Sequence, residues 1–200
     1  MSADRGAGRT YQAVVLAAGQ GSRAGGFKPG LDCGGVPLVV RTARAFAGVC
    51  DRVWVVTGHR SDEVAALVAG EAGVAVVFND QWTAGMFTSV QAGARKVTAD
   101  RFFVTPGDLP LLDPRVVRRL TEVEGDVVSP VYDGQGGHPV LLDRRWVDIL
   151  IAADPSSRLR DVLAQVSRTN VPMDDDAVLR DIDTCEDYED YLRRSTWALN

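Results

Sequence analysis

The fold is decided by residues 13–28, which read Ala-Val-Val-Leu-Ala-Ala-Gly-Gln-Gly-Ser-Arg-Ala-Gly-Gly-Phe-Lys. The first six residues form a continuous apolar run, which is typical of a strand covered by helices on both faces of its sheet. The glycines that follow allow backbone N–H groups to approach an anion closely. A strand that leads into such a loop predicts a ligand site at the carboxyl edge of a parallel sheet.

Short apolar runs alternate with longer amphipathic segments along the rest of the chain. Strands are predicted at residues 11–18, 52–57, 74–78, 102–105, 127–131 and 139–142, and helices at 37–46, 62–69, 85–97, 113–123, 144–152, 157–165 and 186–194. This alternation indicates βαβ units, and the turn-rich segment 133–137 predicts an antiparallel hairpin insertion. The predicted fold class is α/β, a Rossmann-like three-layer sandwich with a mostly parallel sheet. Residues 1–10 are expected to form a flexible N-terminus and residues 11–200 a single domain.

Composition disfavours several classes of protein. The 200 residues carry 22 basic and 27 acidic side chains, and the resulting net charge of −5 disfavours binding to nucleic-acid phosphates. The apolar runs are shorter than the ~20 residues that span a bilayer, and the first ten residues lack the apolar core of a signal peptide. Three cysteines without CxxC spacing indicate reduced thiols. We therefore expect a cytoplasmic protein that binds neither membrane nor nucleic acid.

Two familiar phosphate-binding loops fit residues 19–28 poorly. The dinucleotide pattern Gly-x-Gly-x-x-Ala is present at 19–24, but it should open a helix at once and be followed by an acid ~20 positions on, and neither feature is found. The Walker pattern fails because Phe27 precedes Lys28 and no Ser or Thr follows it. Residues 19–28 are therefore interpreted as a glycine-rich anion-binding loop that carries two cations, Arg23 and Lys28. Such a loop can hold a triphosphate and offset the charge that develops on its leaving group.

Two segments offer carboxylates for a metal ion. Asp108 follows the fourth predicted strand, and one carboxylate can begin a Mg²⁺ site that phosphate oxygens and water complete. Its alternative role is that of an acidic residue at a helix N-terminus. In Asp181-Ile182-Asp183, the alternation of a short strand puts both carboxylates on one face. Asp183 has an alternative role as the N-cap of the last helix, with Glu186 completing a capping box.

Two further segments carry side chains suited to recognition. After the third strand, Asn79 precedes a helix that begins at Gly85 and carries Ser89, and the N–H groups of a helix start suit a base edge or a ribose. The same helix is expected to present a core stripe on its opposite face. In the predicted hairpin, Gly137-His138-Pro139 places an imidazole in a turn, where it serves either a bound substrate or the structure itself.

Taken in order, these segments resemble the MobA-like NTP transferase family, whose fold is similar to that of the nucleotide-diphospho-sugar transferases. The matching motifs are Leu-Ala-Ala-Gly-x-x-Ser-Arg at 16–23 followed by Lys28, Asn-x5-Gly-Met-x-x-Ser at 79–89, Gly-Asp-x-Pro-Leu-Leu at 107–112, Gly-His-Pro at 137–139, and Asp-Ile-Asp-Thr at 181–184. Ala24 stands where the family usually has Met, and Gly30 separates Lys28-Pro29 from Leu31. Neither departure removes a charge or a glycine.

The resemblance assigns roles to particular residues. It implies catalytic roles for Arg23, Lys28 and Asp108, and acceptor binding by Gly137, His138 and Pro139. It implies nucleotide binding by Leu16, Ala17, Ala18, Gly19, Gly21, Ser22, Arg23, Lys28, Asn79, Gly85, Ser89 and Asp108, and a Mg²⁺ ion held by Asp108 and Asp183.

The implied function is nucleotidyl transfer. The Leu-Ala-Ala-Gly start is associated with members that use CTP, and the Gly-His-Pro element with the molybdenum cofactor cytidylyltransferase branch. CMP would pass from CTP to a phosphorylated acceptor, molybdopterin, with release of pyrophosphate and later delivery of the product to a molybdenum hydroxylase. One alternative is transfer to a sugar or polyol phosphate, whose enzymes generally lack Gly-His-Pro.

A second alternative is a non-catalytic chaperone for the finished molybdenum cofactor. The presence of Arg23, Lys28 and Asp108 together disfavours it, because storage alone needs no metal-binding carboxylate. A dinucleotide-dependent dehydrogenase is a third alternative, and the loop spacing described above disfavours it.

Overall fold

A mixed β-sheet forms the centre of the computed structural model, which describes residues 8–21 and 26–197 and side chains as far as Arg194. The strands are β1 (Tyr11–Ala17), β2 (Arg52–Thr57), β3 (Val74–Phe78), β4 (Arg101–Pro106), β5 (Val127–Tyr132), β6 (Gln135–Gly136), β7 (Val140–Asp143) and β8 (Thr169–Pro172). The helices are α1 (Leu38–Arg44), α2 (Ser61–Val68), α3 (Met86–Ala94), α4 (Pro114–Thr121), α5 (Trp146–Ala152), α6 (Leu159–Leu163) and α7 (Cys185–Trp197). Short 3-10 turns lie at Lys28–Gly30, Trp82–Ala84 and Asp176–Leu179.

The strand order is β3-β2-β1-β4-β7-β5-β6, with β8 paired to β5. Strands β3, β2, β1 and β4 are parallel, whereas β7 runs antiparallel to both of its neighbours, β4 and β5. The predicted antiparallel hairpin of residues 127–131 and 139–142 is confirmed, because β5 and β7 pair antiparallel with Val127 opposite Leu142. The segment predicted as its turn contains the short strand β6, which pairs with β5 at Val131 and Gly136. The predicted Rossmann-like α/β class is therefore confirmed. The sequence interpretation missed β8, because its four residues, Thr169–Pro172, form no apolar run and only Val171 among them is buried.

The alternation of side chains along β1 explains the three layers. Ala13, Val15 and Ala17 belong to a buried cluster formed with α1, α2 and α4, whereas Val14 belongs to a second cluster formed with α3, α5 and α6. Successive residues of a strand point to opposite faces, so a strand that is apolar at every position must be covered on both sides. The apolar run at 13–18 thus placed β1 in the middle of the sandwich.

The end of the predicted N-terminal segment is attached to the sheet. Asp100 accepts hydrogen bonds from the backbone N–H and the hydroxyl of Thr10, and Arg9 pairs with Glu124 at 2.6 Å. Residues 1–7, which share the predicted flexible segment, lie outside the described residues. Among the helices that the structure describes, none combines the length and the apolar character needed to cross a membrane.

Candidate active site

Two loops meet at the carboxyl edge of the sheet because β1 and β4 end side by side. The backbone N–H of Gly107, directly after β4, donates to the carbonyl of Leu16 in β1 at 2.9 Å. A Cβ at position 107 would lie 3.0 Å from that carbonyl oxygen, which is closer than side chains normally approach. Glycine at 107 therefore lets the loop that carries Asp108 lie directly against the start of the glycine-rich loop.

A cavity of about 280 Å³ opens between these two loops. The structure brings many of the predicted site residues together around it: Leu16, Ala17, Gly19, Gly21, Lys28, Asp108 and Asp183 all line the cavity. Ala18 is buried beside it, and its carbonyl accepts a hydrogen bond from the N–H of His59 at 3.1 Å. Ser22 and Arg23 lie outside the described residues.

Lys28 lies between two of the predicted metal ligands. Its ammonium nitrogen is 2.5 Å from Oδ2 of Asp108 and 2.8 Å from Oδ1 of Asp183. Burial by itself lowers the pKa of Lys28, but the two carboxylates outweigh this effect and the net pKa is raised. Lys28 is therefore a charged ammonium at neutral pH, held in the centre of an acidic pocket.

Three carboxylates converge on this point. Asp108, Asp181 and Asp183 each offer an oxygen, and these oxygens lie within 4.8 Å of one another. The Asp108 side chain is only 18% exposed, and its Oδ1 is buried without a hydrogen-bond partner among the described residues. Burial raises the pKa of Asp108, and the ammonium of Lys28 opposes that rise. A buried carboxylate oxygen without a partner, beside two further carboxylates, is a donor set that suits a hard divalent cation.

The start of α7 explains why Asp183 contacts Lys28. The capping box is formed by Thr184 and Asp187: the Thr184 hydroxyl accepts from the N–H of Asp187 at 3.2 Å, and the Asp187 carboxylate accepts from the N–H of Thr184 at 2.7 Å. The alternative in which Asp183 caps the helix with Glu186 is therefore wrong by one residue. The Asp183 carboxylate faces Lys28 instead.

The segment 181–183 is not a strand, which corrects the local structure assumed from its alternation. Its side chains nevertheless alternate as expected, because Ile182 is buried among Cys33, Leu38 and Tyr191. The N–H of Ile182 donates to the carbonyl of Asp108 at 3.0 Å. This hydrogen bond aligns residues 181–183 with the loop after β4.

The loop that carries Asp108 is also anchored by α1. The buried Thr42 hydroxyl accepts from the N–H of Leu109 at 3.2 Å, and Arg41 Nε donates to the carbonyl of Pro110 at 2.7 Å. The N-cap of α4 is Asp113, whose carboxylate accepts from the N–H of Arg115 at 2.7 Å. Asp113, and not Asp108, is therefore the acidic residue at the N-terminus of this helix.

Asn79 and Ser89, both predicted to bind nucleotide, contact each other inside the protein. Nδ2 of Asn79 donates to Thr88 Oγ1 at 2.8 Å and to Ser89 Oγ at 2.9 Å, and all three residues are buried. These bonds tie the end of β3 to the first turn of α3. Gly85, directly before α3, lies instead at the surface of a second cavity.

This second cavity is larger, at about 750 Å³, and adjoins the first. Gly136, Gly137 and His138 from the hairpin line one side of it. A Cβ at position 137 would lie 2.5 Å from the carbonyl oxygen of Val178, so only glycine fits there. The N–H of His138 donates to that same carbonyl at 2.9 Å, and Pro139, which follows, is buried.

The imidazole of His138 is held in its neutral form. Burial lowers the pKa of His138 below its usual value of 6.5, although a hydrogen bond to the backbone of Val104 opposes the shift. Its Nδ1 is buried without a hydrogen-bond partner among the described residues. Asp181 also favours the protonated imidazole and Arg168 disfavours it, but burial has the largest effect on the pKa of His138.

We therefore expect His138 to make the protein less stable in mild acid. Below pH ~6.5 the unfolded chain binds a proton at this position more readily than the folded chain does. The free energy of unfolding therefore decreases as the pH is lowered, by at most ~1.4 kcal/mol per pH unit. His138→Gln should remove this dependence. Urea unfolding of both proteins at pH 7.5 and pH 5.5 measures the difference, and equal losses of stability in the two proteins would contradict the expectation.

The sequence interpretation missed several residues that line the larger cavity. Arg158, Arg160 and Arg168 lie around it, on the connections that flank α6 or on α6 itself. They belong to no motif, and their spacing carries no signal for a common site. Asp181 was placed on the correct face by its alternation with Ile182, but was not assigned a metal-binding role.

The glycine-rich loop and the acidic cluster thus face each other at the carboxyl edge of the parallel strands. The chain belongs to the MobA-like NTP transferase domain family, whose model matches residues 13–170.

Similar proteins extend this finding over nearly the whole chain. The chain is 26% identical over 176 residues to the molybdenum cofactor cytidylyltransferase of Escherichia coli (strain K12), covering 88% of this chain and 92% of that protein. The solved structure of a nucleotidyl transferase from Methanothermobacter, Mth528, matches with a TM-score of 0.80 at 27% identity, over 94% of this chain and 100% of that chain. The structure of Rv0371C from Mycobacterium tuberculosis H37Rv in complex with manganese matches with a TM-score of 0.76 at 21% identity, over 92% and 98% of the two chains. The protein is therefore a nucleotidyltransferase of the MobA-like type.

Proposed function

We propose that this protein transfers CMP from CTP to the phosphate of molybdopterin and releases pyrophosphate. The observation that carries the proposal is that the two cavities adjoin, because Leu16, Met86 and Pro106 line both of them. Two substrates bound in adjoining cavities would bring a triphosphate and an acceptor phosphate together in a fixed orientation. The similarity to a molybdenum cofactor cytidylyltransferase over most of the chain supports this choice of nucleotide and acceptor.

The proposed reaction is an in-line displacement at phosphorus. An oxygen of the acceptor phosphate forms a bond to the α-phosphorus of CTP, and the bond from that phosphorus to the bridging oxygen breaks, so its electron pair leaves with pyrophosphate. Lys28 and the backbone N–H groups of Gly19 and Gly21 would stabilise the charge on the leaving group. Arg23 is proposed for the same task.

Asp108, Asp181 and Asp183 would hold a divalent cation, for which we propose Mg²⁺. When bound, the cation would neutralise charge on phosphate oxygens. The manganese complex of the Mycobacterium tuberculosis relative supports a divalent ion in this fold. The chain's own part is to hold three carboxylates close together, which the capping box at Thr184 and the hydrogen bond from Ile182 to Asp108 both favour.

The remaining predicted residues have supporting roles in the proposal. The backbone from Leu16 to Gly19, with Gly85, would contact the nucleotide, and the buried pair of Asn79 and Ser89 would hold Gly85 in place. Residues 137–139 would contact the acceptor. The proposed reaction belongs in the cytoplasm, where CTP is held, and its product would pass to a molybdenum hydroxylase.

Turnover with purified substrates tests the proposal. The protein is incubated with MgCl₂, molybdopterin and one of CTP, GTP, ATP or UTP, and pyrophosphate and the dinucleotide product are measured. We expect product formation with CTP and Mg²⁺ together. Faster turnover with GTP would contradict the assignment of CTP as the nucleotide substrate. Turnover only with a sugar or polyol phosphate would contradict the assignment of molybdopterin as the acceptor. Cofactor binding without pyrophosphate release would overturn catalysis in favour of a chaperone.

A further inference from the structure

The larger cavity has a charge opposite to that of the whole protein. Three arginines line it, Arg158, Arg160 and Arg168, and no Asp or Glu is among the described residues that form its surface. The chain as a whole carries a net charge of −5. A concave surface with low-dielectric walls and charges of one sign concentrates the electric field inside it. The cavity therefore attracts anions.

The arginine side chains are only weakly neutralised by their neighbours. Arg160 approaches Asp161 at 3.5 Å, an exposed pair between adjacent residues that contributes little energy. Arg168 donates to the carbonyl of Arg160 at 3.3 Å, which leaves its charge uncompensated. Within the part of the chain that the structure describes, Arg158 takes part in no ion pair. A guanidinium in this condition retains its ability to bind a phosphate through two parallel hydrogen bonds.

The rest of the cavity surface is mainly apolar. Phe87, Val90 and Leu163 contribute to it, and they also belong to the hydrophobic cluster on that side of the sheet. His138 contributes a neutral imidazole, and the guanidinium of Arg168 is near enough for its charge to act on that ring. A ligand that fits this surface has an apolar or aromatic body and at least one anionic group.

We propose that Arg158, Arg160 and Arg168 form an anion clamp that selects a phosphomonoester acceptor with an apolar or aromatic body. The inference rests on the proposed function, because it takes the larger cavity as the acceptor side of the transfer. The clamp also has an electrostatic task. An acceptor phosphate must approach the triphosphate of the nucleotide, and three cations behind the acceptor offset that repulsion.

A binding experiment tests the clamp without any turnover. 1-Naphthyl phosphate and 1-naphthol share an aromatic body and differ in the phosphate, so equilibrium dialysis of both probes isolates the contribution of the anion. We expect the native protein to bind the phosphate more tightly than the alcohol. Arg158→Gln/Arg160→Gln and Arg168→Gln should each weaken naphthyl phosphate binding about tenfold and leave naphthol binding unchanged.

The matched control is Arg95→Gln/Arg118→Gln, which removes two exposed arginines outside the cavity. This variant should bind both probes as the native protein does. Equal loss in the control and the clamp variants would show a general charge effect, and equal binding of the two probes by the native protein would overturn the clamp.

Steady-state kinetics separate the clamp from the proposed function. In the clamp variants the KM for molybdopterin should rise about tenfold while the KM for CTP stays within twofold. A rise in the KM for CTP instead would place the arginines on the nucleotide side and overturn the assignment. If molybdopterin and CTP give no turnover, the proposed function is wrong. The comparison of naphthyl phosphate with naphthol still tests whether the three arginines bind a phosphate group.

Discussion

Replacing Asp108 with Asn is expected to lower nucleotidyl transfer on the order of 10³-fold while the protein stays folded. The substitution keeps the shape of the side chain and removes its charge, so the acidic cluster loses its most buried carboxylate. Folding should tolerate the change, because burial already raises the pKa of Asp108 and thus disfavours its ionised form. Pyrophosphate release at saturating nucleotide measures the first effect, and circular dichroism during thermal unfolding measures the second.

Asp174→Asn is the matched control for this substitution. Asp174 also carries one carboxylate, but its side chain is 96% exposed and, among the described residues, its one ion pair is with Arg119 at 3.4 Å. The control should retain native activity. A folded Asp108→Asn protein with more than a tenth of native turnover would remove Asp108 from the mechanism.

Replacing Lys28 with Met is expected to have two opposite effects. Turnover should fall by about 10²-fold, because the leaving pyrophosphate loses a cation. Binding of Mn²⁺ in the absence of nucleotide should become about tenfold tighter, because the ammonium now 2.5 Å from Asp108 and 2.8 Å from Asp183 no longer competes for those carboxylates. Electron paramagnetic resonance of unbound Mn²⁺ during titration measures the second effect directly.

The sequence offers a close control for this prediction. The chain has two lysines, and the other one, Lys96, is exposed just after α3 and is not among the described residues that line the cavity beside the acidic cluster. Lys96→Met should change neither turnover nor Mn²⁺ binding. If Lys28→Met weakens Mn²⁺ binding, then Lys28 supports the cation site rather than competing for it.

The sequence predicted the architecture well because its signals are local. The apolar run at 13–18 requires a strand covered on both faces, and the glycines after it require a loop at the sheet edge. Since β1 and β4 pair in parallel, residues directly after them meet, and this brought Asp108 to the glycine-rich loop. The position of Asp108 and of the glycine-rich loop directly after a predicted strand was therefore enough to place them together.

Other features of the site depend on side-chain geometry and were out of reach of the sequence. Both Thr184-x-x-Asp187 and Asp183-x-x-Glu186 fit the pattern of a capping box, and the structure decides between them through hydrogen bonds of Asp187. The contact of Lys28 with two acids, one of them 155 positions away, has no local pattern. Arg158, Arg160 and Arg168 share a cavity only because α6 and β8 fold back beside the hairpin.

The acidic cluster extends beyond the segment by which the family is defined. The family model ends at residue 170, whereas two of the three clustered carboxylates, Asp181 and Asp183, come after it. They are brought in by a terminal segment that packs Ile182 and Tyr191 against Cys33 and Leu38. Membership of the family and completeness of the proposed cation site are thus separate properties of this chain. A relative could share every motif up to residue 170 and still differ in how it binds metal, so the terminal segment is where divergence in metal use should be sought.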